Sequence, residues 1–520
     1  MTRTWKWLLL PIFLLQAAFF LFVSQHRFID SDEGYYQLAS QLVLQHKTPY
    51  LDFFYPQAPL LPYAYAWWFK FAGVSWFSAR AFAAIQTAVL GGLICAHVCR
   101  ETQKWLAGAA AVLLFASSSL IFAWFPIVKT FPLATPLLFI AYMVLARLPA
   151  APSSGSDVAA GAARSALPDW WLAIAGFCFA VSVDVRSYVI ALAPVLVWWI
   201  VRQRGSWPRQ LIWSLIGFVI GIVPSLALFA ASPDAFLFNN LRYHGLRSGG
   251  AGLIGDWKDK IAVVAATFGG RFTGFQFSLL SLTCVVMLVR RRMKRDSALL
   301  AFVIAVVLGV VSVLPTPLAM QYFSMVVPFL LVAAVCSVSD LLETLQGPRD
   351  LRRARMICVV AMVAFVLAGV PAFRQYLFTG YKVPGITEQT EAPNWTLSRV
   401  TSVSRAIDEL TRPGEQVISF WPGYVFGTHA NSYPGFEDHF GIFVAGRLSE
   451  EQRERYHLLT APAMVEILHQ QRVPLVVIGN QGPWVGGPDY DSSIAVTRQS
   501  GYRLVKVVGD TAIFQCCSGQ

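Results

Sequence analysis

The chain has 520 residues, of which 56% are hydrophobic, 14% aromatic and only 13% charged. So few charges cannot cover the water-facing surface of a chain this long, which excludes an ordinary soluble enzyme. The excess of 41 Lys and Arg over 29 Asp and Glu gives a net charge of +12. Because the basic clusters recur between apolar runs, that charge points to loops facing anionic lipid, with no nucleic acid as partner.

The first apolar run, residues 8–23, follows Arg3 and Lys6 and lacks a small-residue cleavage site, so it predicts an anchor and not a cleaved signal. Further spans are predicted near 78–98, 105–124, 127–146, 170–183, 187–201, 210–230, 272–290, 297–314, 319–338 and 355–377, which makes about eleven crossings of a polytopic α-helical membrane protein. The basic clusters at the N-terminus and in 100–104, 147–164, 202–209, 290–295 and 349–355 then fall on one side. That places the N-terminus in the cytoplasm and the C-terminus outside a plasma (inner) membrane. The two spans flanking Asp184 and Arg186 are short, about 15 residues each against the roughly 20 a crossing needs. Two short helices are preferred to one tilted helix, since a single crossing would reverse every later basic loop.

Three stretches read differently. Residues 150–166, rich in Ala, Ser and Gly, predict a cytoplasmic linker. Residues 24–77 predict an external loop with an amphipathic helix lying in the membrane interface, Tyr35, Leu38, Ala39, Leu42 and Val43 on one face and Gln37, Gln41 and Gln45 on another. From about residue 380 the composition becomes that of a water-soluble domain. Helices are predicted at 398–411, 449–458 and 462–471, strands at 416–420 and 474–478, and a hairpin of 502–508 with 511–515 around Gly509-Asp510. The expected organisation is therefore a transmembrane catalytic domain, 1–379, and a small external α/β domain, 380–520.

Ionisable groups at a bilayer edge are costly unless they serve a purpose. On this topology they gather outside: Asp30, Asp32 and Glu33, Lys129, Asp184 with Arg186, Arg242 with His244 and Arg247, Arg271, and Gln321 with Tyr322. Carboxylates that accept protons thus meet cations that hold phosphate. Bland alternatives exist for several. Asp32 suits the N-cap of the helix that follows, Arg186 a local pair with Asp184, and Lys129 a side chain reaching for the headgroups.

The segments Asp32-Glu33-Gly34-Tyr35-Tyr36, Tyr50-Leu51-Asp52-Phe53, the proline tract from Tyr55 to Leu60, Asp184-Val185-Arg186 and Gln321-Tyr322-Phe323 together resemble the polytopic glycosyltransferases of the C-type fold that use polyprenyl-phosphate sugars. The likeness is closest to the family 39 set, with the protein O-mannosyltransferases and lipid A aminoarabinose transferases. A Pro-Pro pair common in that tract is interrupted here by Gln57 and Ala58. The resemblance implies that the phosphate of a polyprenyl-phosphate sugar donor is held by Lys129, Arg186, Arg242, His244 and Arg247, with Tyr322 donating a hydrogen bond. It implies that Asp32 takes the proton of an acceptor hydroxyl on a lipid, glycan or protein, with Glu33 beside it and Tyr55 and Gln57 on the acceptor side. The sugar is transferred with inversion. No cofactor is implied with certainty; relatives differ in whether a divalent cation is used. The rival readings are a lipid or solute transporter or flippase, which places its charges near the midplane with internal repeats, and a membrane-anchored envelope assembly protein, which has no need of Asp32 and Glu33.

Overall fold

A computed structural model of the chain describes residues 6–148, 168–202, 207–247, 257–269, 271–386, 388–479, 485–487 and 489–516. The predicted linker 150–166 lies outside the described residues. Backbone groups in lipid must bond within their own segment, so the apolar runs fold as helices, and a helix or helix pair coincides with every predicted span. These include α1 (Lys6–His26), α4 (Trp76–Thr102) and, further along, Thr130–Leu145, Trp171–Val185 and Pro348–Arg374. Among the described residues, four helices are long and apolar enough to cross a membrane, or up to six if each bent pair is one span. The chain is a multi-pass membrane protein.

The expected break at Asp184–Arg186 is present: Trp171–Val185 ends there and a 3-10 turn, Ser187–Leu192, leads into Ala193–Val201. The predicted span 210–230 is two helices, Trp207–Gly221 and Val223–Ala231, bent by 51°. The first of these crosses Trp171–Val185 at backbone contact, since a Cβ on Gly217 would lie 1.8 Å from the Ala173 carbonyl oxygen. Beside that crossing is an apolar cavity of about 490 Å³, lined by Phe179, Ile190, Leu196, Leu215 and Phe218 among others. Helix Trp257–Gly269 was not among the predicted elements.

The C-terminal region folds around a five-stranded sheet of order β2-β1-β3-β5-β4, formed by β1 (Gln416–Ser419), β2 (Asn431–Ser432), β3 (Leu475–Ile478), β4 (Tyr502–Val508) and β5 (Thr511–Cys516). β1 is parallel to β2 and β3, while β5 is antiparallel to β3 and β4. The predicted hairpin therefore forms, and β3, buried at every residue, is the centre of the sheet. Ile418, Val476 and Phe514 belong to a core of this region's own. Trp421, Val477 and Ile513 instead join the core of the membrane helices.

That continuity revises the interfacial helix. Helix α2 (Ser31–Leu44) is buried on all sides from Glu33 to Leu42, because the C-terminal region covers the polar face that the sequence pattern assigns to water. Gln41 accepts the Gly427 N–H at 2.8 Å and Trp421 Nε1 donates to the Ser31 carbonyl at 2.8 Å. Gly34 marks the closest approach, where a Cβ would lie 2.7 Å from the backbone nitrogen of Gly423. The following helix, α3 (Leu60–Ala72), turns Trp67 and Phe71 outward, as an aromatic belt requires.

Candidate active site

The start of α2 organises the site. Asp30 is its N-cap: its carboxylate accepts the Asp32 N–H at 3.1 Å, and Glu33 Oε1 accepts the Asp30 N–H at 2.9 Å, a reciprocal capping box. The capping role that spacing allowed for Asp32 thus falls to Asp30. Glu33 is fully buried and takes a two-pronged ion pair from Arg80, with Nε to Oε2 at 2.8 Å and Nη2 to Oε1 at 2.6 Å. Arg80 Nη1 also donates to the carbonyls of Ser24 and Arg27, each at 2.7 Å. One guanidinium therefore ties the end of α1, the start of α2 and the start of α4, and Glu33 has no free oxygen facing solvent.

Asp32 is different. Lys129 Nζ lies 2.5 Å from Asp30 Oδ1 and 2.5 Å from Asp32 Oδ2; the Asp32 side chain is 26% exposed, against 6% for Asp30. Of the three carboxylates, Asp32 is the one a substrate can reach. Lys129 itself is buried between two carboxylates and not extended to the headgroups, so its charge is spent on orienting Asp32.

Two cations near this carboxylate have no acidic partner within ion-pair distance among the described residues. Arg186, half-buried, donates to Thr130 Oγ1 at 2.5 Å. Its guanidinium lies over the rings of Phe131, Tyr188 and Tyr322 at 4.5, 4.4 and 5.3 Å. It makes no ion pair with Asp184, which bonds Ser225. Arg247 sits over the Phe440 ring at 4.8 Å. Tyr322, whose ring lies 5.3 Å from the Arg186 guanidinium, stands in the field of Arg186, Asp32, Arg247 and Lys129. His244, exposed at the rim, feels both Arg247 and Arg186 and is hydrogen-bonded to the Pro56 backbone.

Arg242 departs from this grouping. It pairs with Asp234 at 2.5 Å, on a patch shared with Arg455 and Tyr456, so its charge is already matched. On the side expected for the acceptor, the Tyr55 hydroxyl is fully buried with no hydrogen bond, and the Tyr55 N–H is held by Asn239 Oδ1 at 3.1 Å. Gln57 is half-buried; its carbonyl accepts the Tyr50 hydroxyl at 2.6 Å.

Sequence reasoning missed Arg80 and the C-terminal run Glu437-Asp438-His439. Arg80 carried a signal, a charge in the first turn of a predicted span. The C-terminal run carried only its position among glycines and aromatics. The Tyr35 ring meets His439 at 6.2 Å and Phe440 at 5.5 Å, so the run closes over the carboxylate cluster. Burial pushes Glu437 and Asp438 each up to about 7 and pulls His439 down to about 3.

No family sequence profile matches the chain, and no curated protein matches it by sequence. The structure is similar to ArnT from Cupriavidus metallidurans bound to undecaprenyl phosphate, with a TM-score of 0.66 and 13% identity over 100% of this chain and 99% of that one. It is similar also to ArnT from the same organism in the apo state, with a TM-score of 0.63 and 12% identity over 99% of this chain and 98% of that one. At such identity the likeness shows the fold, and that fold is the C-type glycosyltransferase architecture that the sequence resemblance implied.

Proposed function

From a membrane chain of this fold, we propose an inverting glycosyltransferase that moves a sugar from a polyprenyl-phosphate donor to an acceptor hydroxyl at the external face of the membrane. The observation that carries the reading is a reachable carboxylate, Asp32, in one cluster with two arginines, Arg186 and Arg247, that have no carboxylate at ion-pair distance among the described residues. A phosphate fits between them, with the Tyr322 hydroxyl as a further donor and His244 at the rim. The undecaprenyl phosphate bound to ArnT supports a lipid of this class. The apolar cavity beside Ile190, four residues from Arg186, suits the first isoprene units of its tail.

The acceptor oxygen forms a bond to the anomeric carbon as its proton passes to Asp32, and the bond from that carbon to the phosphate oxygen breaks with its electron pair leaving on the phosphate. Arg186 and Arg247 stabilise the charge that develops there. A single displacement inverts the anomeric configuration. Lys129 and the Glu33–Arg80 pair are positioning groups: they fix the carboxylate that reacts. Arg242, matched by Asp234, is left outside the donor site. Lys129 lies between Asp30 and Asp32, 2.5 Å from an oxygen of each.

Asp32→Asn tests this directly. Since Asp30 caps α2, the substitution leaves the cap alone; it removes the proton acceptor, while Lys129 keeps its pair with Asp30. General-base assistance contributes roughly 10²- to 10⁴-fold. The variant should fold, bind undecaprenyl phosphate like the parent and lose about that much release of undecaprenyl phosphate from its sugar conjugate. Mass spectrometry of envelope glycolipids and glycans in a deletion strain supplies the sugar to use. Activity within a factor of about three of the parent sinks the assignment of Asp32.

A further inference from the structure

The surface where the C-terminal region meets α2 holds a concentration of buried polar atoms that bond to nothing in the protein. Asp438 is 6% exposed; one carboxylate oxygen accepts the Phe440 N–H at 2.6 Å and the other, Oδ2, has no partner. His439, 7% exposed, leaves Nδ1 without one. The Tyr55 hydroxyl, fully buried, is also unbonded, and the equally buried Tyr243 hydroxyl has the Arg247 side chain alone beside it. Each such group costs free energy in the folded chain. Three unbonded groups from two separate stretches of sequence are not explained by packing, because a leucine or phenylalanine would pack there without the cost.

These groups adjoin both halves of the proposed reaction: Tyr35, three residues after Asp32, meets the His439 and Tyr55 rings at 6.2 Å each, and Phe440, next to His439, carries the Arg247 guanidinium at 4.8 Å. Asp438 is in the field of Arg247 and Asp32, His439 in that of Arg247, Asp30 and Lys129, and Tyr243 in that of Arg247, Asp438 and Asp32. In a single displacement, the group bonded to the phosphate and facing the base is the donor's sugar ring. Its hydroxyls both donate and accept hydrogen bonds, as a carboxyl, an imidazole and two phenols require. We infer that Asp438 and His439, with the Tyr55 and Tyr243 hydroxyls, bind the hydroxyl groups of the donor sugar, so that the C-terminal region selects which polyprenyl-phosphate sugar is used. The inference rests on the glycosyltransferase reading above. Because these atoms are shut off from solvent, binding requires the 437–440 segment to open, and the sugar's hydroxyls then supply the partners that the protein lacks. Discrimination follows from that exchange: a sugar lacking one hydroxyl leaves a buried group unpaired, which sites of this kind reject strongly.

The test uses the full-length protein in nanodiscs, with bare undecaprenyl phosphate and undecaprenyl phosphates carrying mannose, galactose, glucose or 4-amino-4-deoxyarabinose. The parent should bind one conjugate at least about tenfold more tightly than the bare lipid. Asp438→Asn and His439→Gln should reduce that advantage to less than about threefold while changing the affinity for bare lipid less than twofold. Tyr243→Phe keeps the ring packing and removes one hydroxyl, so it serves where the other two fail to fold, and it too should lower the advantage. An advantage unchanged in the folded variants overturns the inference, as does a parent that binds bare lipid and gains nothing from any of these sugars. Variants that keep the full advantage but raise the KM for the acceptor move the pocket to the acceptor and overturn it as well. A parent that neither binds bare undecaprenyl phosphate nor consumes any conjugate refutes the glycosyltransferase reading itself, a separate result.

Discussion

The two ends of the helix bundle differ in how they hold charge. At one end four cations are paired with carboxylates: Arg295 with Asp340 at 2.6 Å, Arg100 with Glu101 at 3.0 Å, Lys104 with Glu343 at 2.9 Å and Arg202 with Asp296 at 3.2 Å. Ser297 donates to Glu101 at 2.8 Å, and buried His97 meets the Tyr142 hydroxyl at 2.8 Å. Apart from the neighbouring Arg100–Glu101 pair, these contacts join segments distant in sequence and hold the helices in register. At the other end Arg80, Lys129 and Arg242 are paired likewise, but Arg186 and Arg247 lie over aromatic rings with no carboxylate at ion-pair distance among the described residues; these two make it the unmatched end. A matched charge builds structure, whereas a charge kept enclosed without a counterion is held for the charge of something that binds.

The comparison also bears on sidedness. The loops gathered at the matched end, around residues 100–104, 202 and 295, are those whose basic residues predict the cytoplasm. A reporter active only in the cytoplasm should therefore be silent when fused after residue 400 and strongly active when fused near Lys294, the largest contrast expected here. A fusion near residue 202 should also be active. A signal at 400 would put the unmatched end, with Asp32 and the C-terminal region, in the cytoplasm and break the external-face reading.

A smaller contrast separates the arginines of the two ends. Charge-assisted hydrogen bonds are worth about 1.5 to 3 kcal/mol each, or roughly ten- to a hundredfold in turnover when made to a leaving group. Arg186→Ala should lose turnover by that much with its melting temperature little changed. Arg186→Lys should recover only part of the loss, since an ammonium cannot reproduce a flat guanidinium stacked between rings. Arg295→Ala should show the reverse, a lowered melting temperature with turnover per folded molecule kept. Equal effects of Arg186→Ala and Arg295→Ala on both readouts would erase the distinction between the ends.

Much of this was legible in the sequence, and the limits have a physical form. Apolar length reports a span regardless of what surrounds it, so helices appear where spans were predicted. The hairpin at Gly509-Asp510 is set by local turn chemistry and formed as read. Helix α2 shows the limit. Its alternation of apolar and polar faces is real, yet a pattern does not say whether water or a protein surface lies over the polar face, and here the C-terminal region does. Charges behave alike. Arg242, His244 and Arg247 are close in sequence, but Asp234 lies within reach of Arg242 and not of its neighbours, and spacing cannot reveal a partner. Arg80 was visible as a charge in an apolar helix, while its partner Glu33 was read as catalytic because both carboxylates follow the first span. Only the fold shows that one of them is spent on an ion pair.

The smallest effect concerns pH and the C-terminal face of the unmatched end. Asp438 is pushed up to about 7 chiefly by burial, with Asp32 and Glu437 raising it further and Arg247 opposing them. In the unfolded chain an aspartate titrates near 3.9. Between those values the folded chain binds a proton that the unfolded chain has released, so this carboxyl stabilises the fold at low pH and its contribution fades as pH rises through about 7. From pH 6 to 8 the loss is on the order of 1 kcal/mol. Glu437, also raised to about 7, adds a slope of the same sign. His439, held near 3 by burial, has the opposite sign: the unfolded chain gains a proton first as pH falls, so that contribution drops on the acid side, below about 6.5. The window from pH 7 to 8 therefore reports the carboxyls with little interference. Asp438→Asn, which cannot ionise, should be close to the parent in stability at pH 6 and more stable than it at pH 8, by thermal unfolding of the full-length protein in detergent. A difference between parent and variant that stays constant over that range would mean that Asp438 is already ionised in the folded chain, and that its second oxygen meets a partner or water instead of being held apart from both.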